Sequence, residues 1–218
     1  MEYTISAILL AAGLSRRMGG EEDKLLLPYN SKPILQNAID VLAELSGLSR
    51  PADLYYSPGM PFRKRAESIS FELILVTTPD KLKHVRVPGN IRIIINNKPD
   101  VGQSESIRLG VKAATGDVYF FMSADQPLLT MQDIKPIIFT AQKNKNKIIY
   151  PTTNGRPINP VIFPAEFKKE FLSLTGDTGG REIRNNHPEF CIAIEVENPE
   201  NFKDINNKAD YYKLFSNN

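Results

Sequence analysis

An apolar run from Ile5 to Leu10 gives way at once to Ala11, Ala12 and Gly13, and a cationic, glycine-rich loop follows. That loop carries Ser15, Arg16, Arg17, Gly19, Gly20 and Lys24. A strand that is apolar at successive positions belongs inside a sheet covered on both faces, which points to an α/β fold. The downstream pattern agrees, because strand-like and helix-like segments alternate. Tyr3–Leu10, Phe71–Thr77, Ile91–Ile95 and Asp117–Ser123 read as strands. Ile34, Leu35, Ala38, Ile39, Leu42 and Leu45 recur at helical spacing. Ser31-Lys32-Pro33 is expected to start that helix, with the serine as cap and the proline in the first turn. Gln103–Ala114 and Met131–Lys145 read as further helices. After Tyr150 the expectation is a turn over Thr152–Pro157, a strand over Ile158–Phe163 and two short helices. A last strand over Phe190–Val196 and a closing helix over Ala209–Leu214 follow.

With 218 residues the chain fits one domain spanning 1–218. Leu48–Ser70 is irregular, with Pro51, Pro58, Gly59, Pro61 and then Arg63-Lys64-Arg65, and reads as a surface insertion. A net charge of +2 is too mild for a dedicated nucleic-acid binder. Cys191 is the one cysteine, so an intrachain disulfide is excluded. No apolar run approaches the ~20 residues that span a bilayer. Met1–Leu10 lacks the basic start of a secretory signal. The expectation is a cytoplasmic protein with neither nucleic acid nor membrane as partner. His84 and His187 have no metal-ligand spacing and read as surface or loop residues.

A strand opening into glycine, serine and cations suits a polyphosphate, since amides and guanidinium groups meet its anionic oxygens. The same residues also suit an ordinary βα turn with solvated cations. The loop lacks the Gly-x-x-x-x-Gly-Lys spacing of a Walker loop and the Gly-x-Gly-x-x-Gly of a dinucleotide fingerprint. A second site is Asp125, just beyond the buried strand Val118–Met122 and two residues before Pro127. Ligands of open α/β sheets bind beyond the carboxyl ends of strands, so Asp125 would share a crevice with the first loop. A hard carboxylate there suits Mg²⁺; an aspartate capping the next turn is the competing reading. In Gly102-Gln103-Ser104-Glu105-Ser106, small polar residues at a helix start serve equally as caps or as donors to a nucleotide.

The motif Ala11-Ala12-Gly13-x-Ser15-x-Arg17-Met18-Gly19, with Lys24 and Leu26-Leu27-Pro28 after it, closely resembles the signature loop of the nucleotidyltransferases that make molybdopterin dinucleotides. Asp125-Gln126-Pro127-Leu128 resembles the metal-binding motif of that family, and Gly102-Gln103-Ser104-x-Ser106-Ile107 its base-holding turn. Asn159-Pro160-Val161 and Gly176-Asp177-x-Gly179-x-Arg181 are similar to acceptor segments of molybdenum cofactor cytidylyltransferases. The resemblance runs from Ile5 to about Tyr211. It implies a three-layer, Rossmann-like nucleotidyltransferase fold, nucleotide-binding over about 1–125 and acceptor-binding over about 126–218.

By this resemblance Leu10, Ala11, Ala12, Gly13, Ser15, Arg17, Lys24, Gly102, Ser104 and Ser106 hold the nucleotide. Arg17 and Lys24 neutralise its triphosphate, and Asp125 holds Mg²⁺. Asn159, Asp177 and Arg181 hold the acceptor, with Asp177 serving equally as a helix cap. The implied reaction joins CTP to molybdopterin or the molybdenum cofactor and releases pyrophosphate, and a molybdenum hydroxylase apoenzyme is the implied recipient. Cytosine over guanine rests on Ala12, because guanylyl relatives typically carry Gly-Gly where this chain has Ala11-Ala12. The insertion at 48–70 has no family counterpart. Asn206 stands where relatives carry a carboxylate that acts as a second metal ligand, and its amide oxygen binds Mg²⁺ more weakly. The alternatives are transfer to a sugar or polyol phosphate and a non-catalytic accessory protein that delivers the cofactor.

Overall fold

The structure, a computed structural model, describes residues 3–15, 22–48 and 68–215. Its strands are β1 (Tyr3–Ala11), β2 (Pro28–Tyr29), β3 (Lys32–Pro33), β4 (Ile69–Thr77), β5 (Ile91–Ile95), β6 (Val118–Ser123), β7 (Ile148–Thr153), β8 (Arg156–Pro157), β9 (Val161–Pro164) and β10 (Cys191–Glu195). The helices are α1 (Ile34–Glu44), α2 (Pro79–Leu82), α3 (Gln103–Ala113), α4 (Met131–Lys143), α5 (Lys168–Ser173), α6 (Gly180–Asn186) and α7 (Lys208–Lys213).

Among these residues an eight-stranded sheet runs in the order β10-β7-β9-β6-β1-β4-β5, with β8 beside β7. β1 pairs in parallel with both β4 and β6, so Leu10 lies opposite Val76 and Ser123. The sheet is mostly parallel, and β9 runs antiparallel to β6 and β7. From β1 the chain builds β4 and β5 on one side, then crosses to β6 on the other. Such a reversal leaves a crevice at the carboxyl ends of the two strands that flank it, here β1 and β6.

Alternation along β1 sends side chains into two separate cores. Ile5, Ala7 and Leu9 pack with Ile34, Leu35 and Ile39 of α1 and Ile134 and Ile138 of α4. Ile8 faces the other way, toward Ile107 and Val111 of α3, Phe171 of α5 and Ile183 of α6. Helices therefore cover both faces of the sheet, and the fold is the expected three-layer α/β arrangement.

Two local expectations need correction, at Ser31 and at Ile158, and the expected turn over Thr152–Pro157 takes a definite form. Ser31 does not cap α1. With Asn30 it makes the two-residue turn of the β2–β3 hairpin, at φ 52° and 65°. Paired positive φ values match the twist such a hairpin requires, and the helix starts only after Pro33. The stretch Thr152–Pro157 is likewise a hairpin, reversing at Asn154-Gly155. The next strand begins at Val161 rather than Ile158: the Ile158 amide bonds to Pro151 O, and Pro160 has no N–H for a ladder. Most of the expected insertion, residues 49–67, lies outside the described residues.

Candidate active site

The loop after β1 is held by side chains that close on themselves. Ser15, at φ 51°, donates its hydroxyl to Asp23 Oδ1 at 2.8 Å and accepts the Lys24 amide at 3.1 Å. Asp23 also caps the short turn Lys24–Leu26 by accepting the Leu25 amide at 3.1 Å. Its second oxygen pairs with Lys81 Nζ at 2.7 Å, and Lys81 donates to Gly13 O at 2.9 Å. Arg16 and Arg17 lie outside the described residues.

Opposite this loop, β6 delivers Ser123 and Asp125. Lys24 Nζ pairs with Asp125 Oδ2 and donates to Ile205 O at 2.8 Å. The Ser123 hydroxyl donates to Asp125 Oδ1, and the Ile205 amide donates to Asp125 O at 2.9 Å. Gln126 is 3% exposed, and its Nε2 donates to Asn159 O at 3.2 Å and Phe202 O at 2.8 Å. Both partners are carbonyls, so only the amide nitrogen fits there. These bonds gather the Asp125 turn, the Asn159 turn and the segment 202–206 around one opening.

That opening has two continuous compartments. One, of ≈ 730 Å³, is lined by Ala12, Gly13, Ser15, Lys24, Gly102, Ser106, Asp125 and Asn206. The other, of ≈ 660 Å³, has Ile107, Phe121, Val161, Phe163 and Phe171 among its walls. Leu10, Gln103, Ser123, Asn159, Asp177, Arg181 and Asp204 line both. Ala11 and Ser104 stand behind the wall, each 1% exposed. Ala11 is a β1 core residue, while the Ser104 amide donates to Gly176 O at 3.1 Å. The Ser106 hydroxyl accepts from the buried Asn96 amide at 2.9 Å. Gly102 takes φ 115°, and a Cβ there would sit 2.4 Å from Gly176 O. Only glycine lets the two loops approach so closely.

Sequence reasoning missed Asp23, Lys81 and Asp204. Asp23 had a local signal, since aspartate directly before a short helical turn is a capping pattern. Asp204 had one too: it flanks the buried Ile205 together with Asn206, and alternation sends both polar neighbours to the same side. Lys81 had none.

Carboxylates of Asp100, Asp125, Asp177 and Asp204 line the larger compartment with Lys24 and Arg181. A bare triphosphate would meet repulsion there, whereas a triphosphate carrying a divalent cation would not. No group of three or more His, Cys, Asp or Glu among the described residues gathers to hold a metal by itself. The carboxylates present fit a divalent cation that takes one or two protein carboxylates and completes its shell with phosphate oxygens and water.

Residues 7–190 match the MobA-like NTP transferase domain. A probable molybdenum cofactor guanylyltransferase of Natranaerobius thermophilus is 24% identical over 155 residues, 71% of this chain and 63% of that protein. The molybdenum cofactor guanylyltransferase of Yersinia pseudotuberculosis is 41% identical over 66 residues, 28% of this chain and 33% of that protein. The chain thus spans less than two thirds of either relative. In fold it is similar to Rv0371c of Mycobacterium tuberculosis, at 20% identity, a TM-score of 0.73 and 99% coverage of both chains. That mycobacterial protein is also known as a manganese complex, which aligns at 18% identity and a TM-score of 0.66 over 97% of this chain and 98% of that one.

Proposed function

The chain belongs to the MobA-like NTP transferase family, and from that premise we propose that it transfers a cytidylyl group from CTP to molybdopterin or the molybdenum cofactor. The observation that carries the proposal is the Lys24–Asp125 pair on the wall of a cleft that continues into a second compartment. In this reading the larger compartment takes the triphosphate and the other takes the acceptor. Lys24 leaves Asp125 for the phosphate oxygens as the nucleotide arrives, and Asp125, with Asn206, would hold a divalent cation. When bound, that ion supplies positive charge to the phosphate oxygens.

The acceptor phosphate is already an anionic nucleophile, so no general base is required. Its oxygen forms the new bond to the α-phosphorus as the α–β bridging bond breaks and pyrophosphate departs. The chain's own task is alignment and charge neutralisation. Lys24 faces the triphosphate, and Arg17 is assigned the same charge-neutralising role by the resemblance; Leu10, Ala12, Gly13 and Ser15 form its bed, and Gly102 and Ser106 lie toward the base. Ala11 and Ser104 support that bed from behind. Asn159, Asp177 and Arg181 orient the acceptor in the second compartment. A molybdenum hydroxylase apoenzyme in the cytoplasm would receive the product.

Ala12 supports cytosine as the base. The names of the two guanylyltransferase relatives favour GTP as a second reading. Pyrophosphate release with each of the four NTPs, with and without molybdopterin and with Mg²⁺ or EDTA, separates them. The expected result is release from CTP that needs both molybdopterin and Mg²⁺. Equal or faster release from GTP overturns the donor assignment, and release only with a sugar or polyol phosphate overturns the acceptor. No release under any condition leaves an accessory binding protein.

A further inference from the structure

We propose that Lys81 is a positioning residue of the triphosphate loop, a group on α2 that ties Gly13 at one end of that loop to Asp23 at the other. The proposal rests on reading the cleft as a triphosphate site. Lys81 lies on α2, directly after β4, and is only 3% exposed. A buried ammonium is costly unless its charge and its hydrogens are satisfied. Here both are met by the loop. Nζ pairs with Asp23 Oδ2 at 2.7 Å and donates to Gly13 O at 2.9 Å. Gly13 is where the chain leaves β1, and Asp23 is where it returns just before Lys24.

The network continues to Lys24. Asp23 Oδ1 accepts the Ser15 hydroxyl, and Ser15 Oγ accepts the Lys24 amide at 3.1 Å. The backbone of Lys24 is thus referenced to Lys81 through Asp23 and Ser15, although 57 positions separate the two lysines in the numbering. Charge adds a second effect. Asp23 by itself would set a carboxylate under a loop that receives phosphates, and Lys81 cancels it at close range. Removing Lys81 should therefore loosen the loop and leave an uncompensated negative charge beneath it.

The test uses the full chain and needs no turnover. Hydrogen exchange of the Lys24 and Leu25 amides reports loop order, because their acceptors are Ser15 Oγ and Asp23 Oδ1. In Lys81→Met both amides are expected to exchange at least tenfold faster, while amides between β1 and β4 keep their rates. Binding of inorganic tripolyphosphate with Mg²⁺ should weaken at least tenfold. In turnover, KM for the nucleotide should rise more than kcat falls. Asp23→Asn keeps the shape without the charge and should speed the same two amides, so it carries the test if Lys81→Met does not fold. Unchanged loop exchange, or faster exchange with unchanged tripolyphosphate affinity, overturns the proposal. Absence of pyrophosphate release from the unmodified protein would overturn the function instead, leaving the exchange result standing.

Discussion

Lys24 bonds at once to the carboxylate of Asp125 and to the carbonyl of Ile205, so it links three segments that are remote in sequence. Its side chain is 14% exposed and that of Asp125 is 17% exposed, which places the pair at the mouth rather than in the core. Lys24→Ala should cost stability about 1 kcal/mol, the scale of a partly solvated ion pair. Asp125 keeps the Ser123 hydroxyl as a partner in that variant. Turnover should fall about 10²-fold or more, because a cation aimed at charge that develops in the transition state is worth a few kcal/mol. Thermal melting and pyrophosphate release measured on the same preparation check this. A melting loss that fully accounts for the activity loss would make Lys24 structural.

At the scale of elements, the start of α3 and the β7–β8 hairpin are each held by a distant segment of the chain. Gly102 precedes α3 at φ 115°, and the Asp177 carboxylate accepts the first helical amide, Gln103, at 3.3 Å. Gly102→Ala combines an unfavourable φ with overlap of the Gly176 carbonyl, so a destabilisation of about 2 kcal/mol or more is expected by thermal melting. At the far edge of the sheet, Glu195 accepts the Thr152 hydroxyl at 2.7 Å and the Asn154 amide at 2.6 Å. The Thr152 bond first, then the backbone amides, hold this carboxyl below the ordinary glutamate range. A depressed value means the stabilisation is complete above the ordinary glutamate pKa and is lost as the pH falls through the lowered one. The melting difference between the unmodified protein and Glu195→Gln should therefore be constant near neutrality and vanish in acid. A difference that grows as the pH falls would contradict this assignment.

Across the whole molecule, the C-terminal segment is part of the cleft rather than an appendage. Phe202 is 4% exposed and Ile205 2% exposed, and both join the core on the α1 and α4 face. Their backbones then bond to Gln126, Asp125 and Lys24. Phe202→Ala should destabilise by about 3–5 kcal/mol, the usual result of emptying a buried aromatic site. Because the same segment brings Asp204 and Asn206 to the cleft, Mg²⁺–CTP affinity should fall in conditions where the variant is still folded. Urea titration and nucleotide binding test the two parts separately. Unchanged affinity in the folded variant would detach this segment from the site.

Hydrophobic periodicity alone located the strand–helix alternation, because burial repeats every two residues in a strand and about every 3.6 in a helix. That Gly13, Lys24 and Asp125 share one crevice was also readable in the chain, since a parallel sheet brings its carboxyl ends to one edge. Local reasoning failed where a residue's conformation answered to a distant partner. Ser31 read as a cap until the β2–β3 pairing claimed it, and Ile158 read as strand until its amide went to Pro151. Lys81 and Gln126 carry no mark of their roles in the sequence. Their partners lie tens of residues away or more, and which partner a buried polar group finds is decided only when packing excludes water and leaves one donor facing one acceptor.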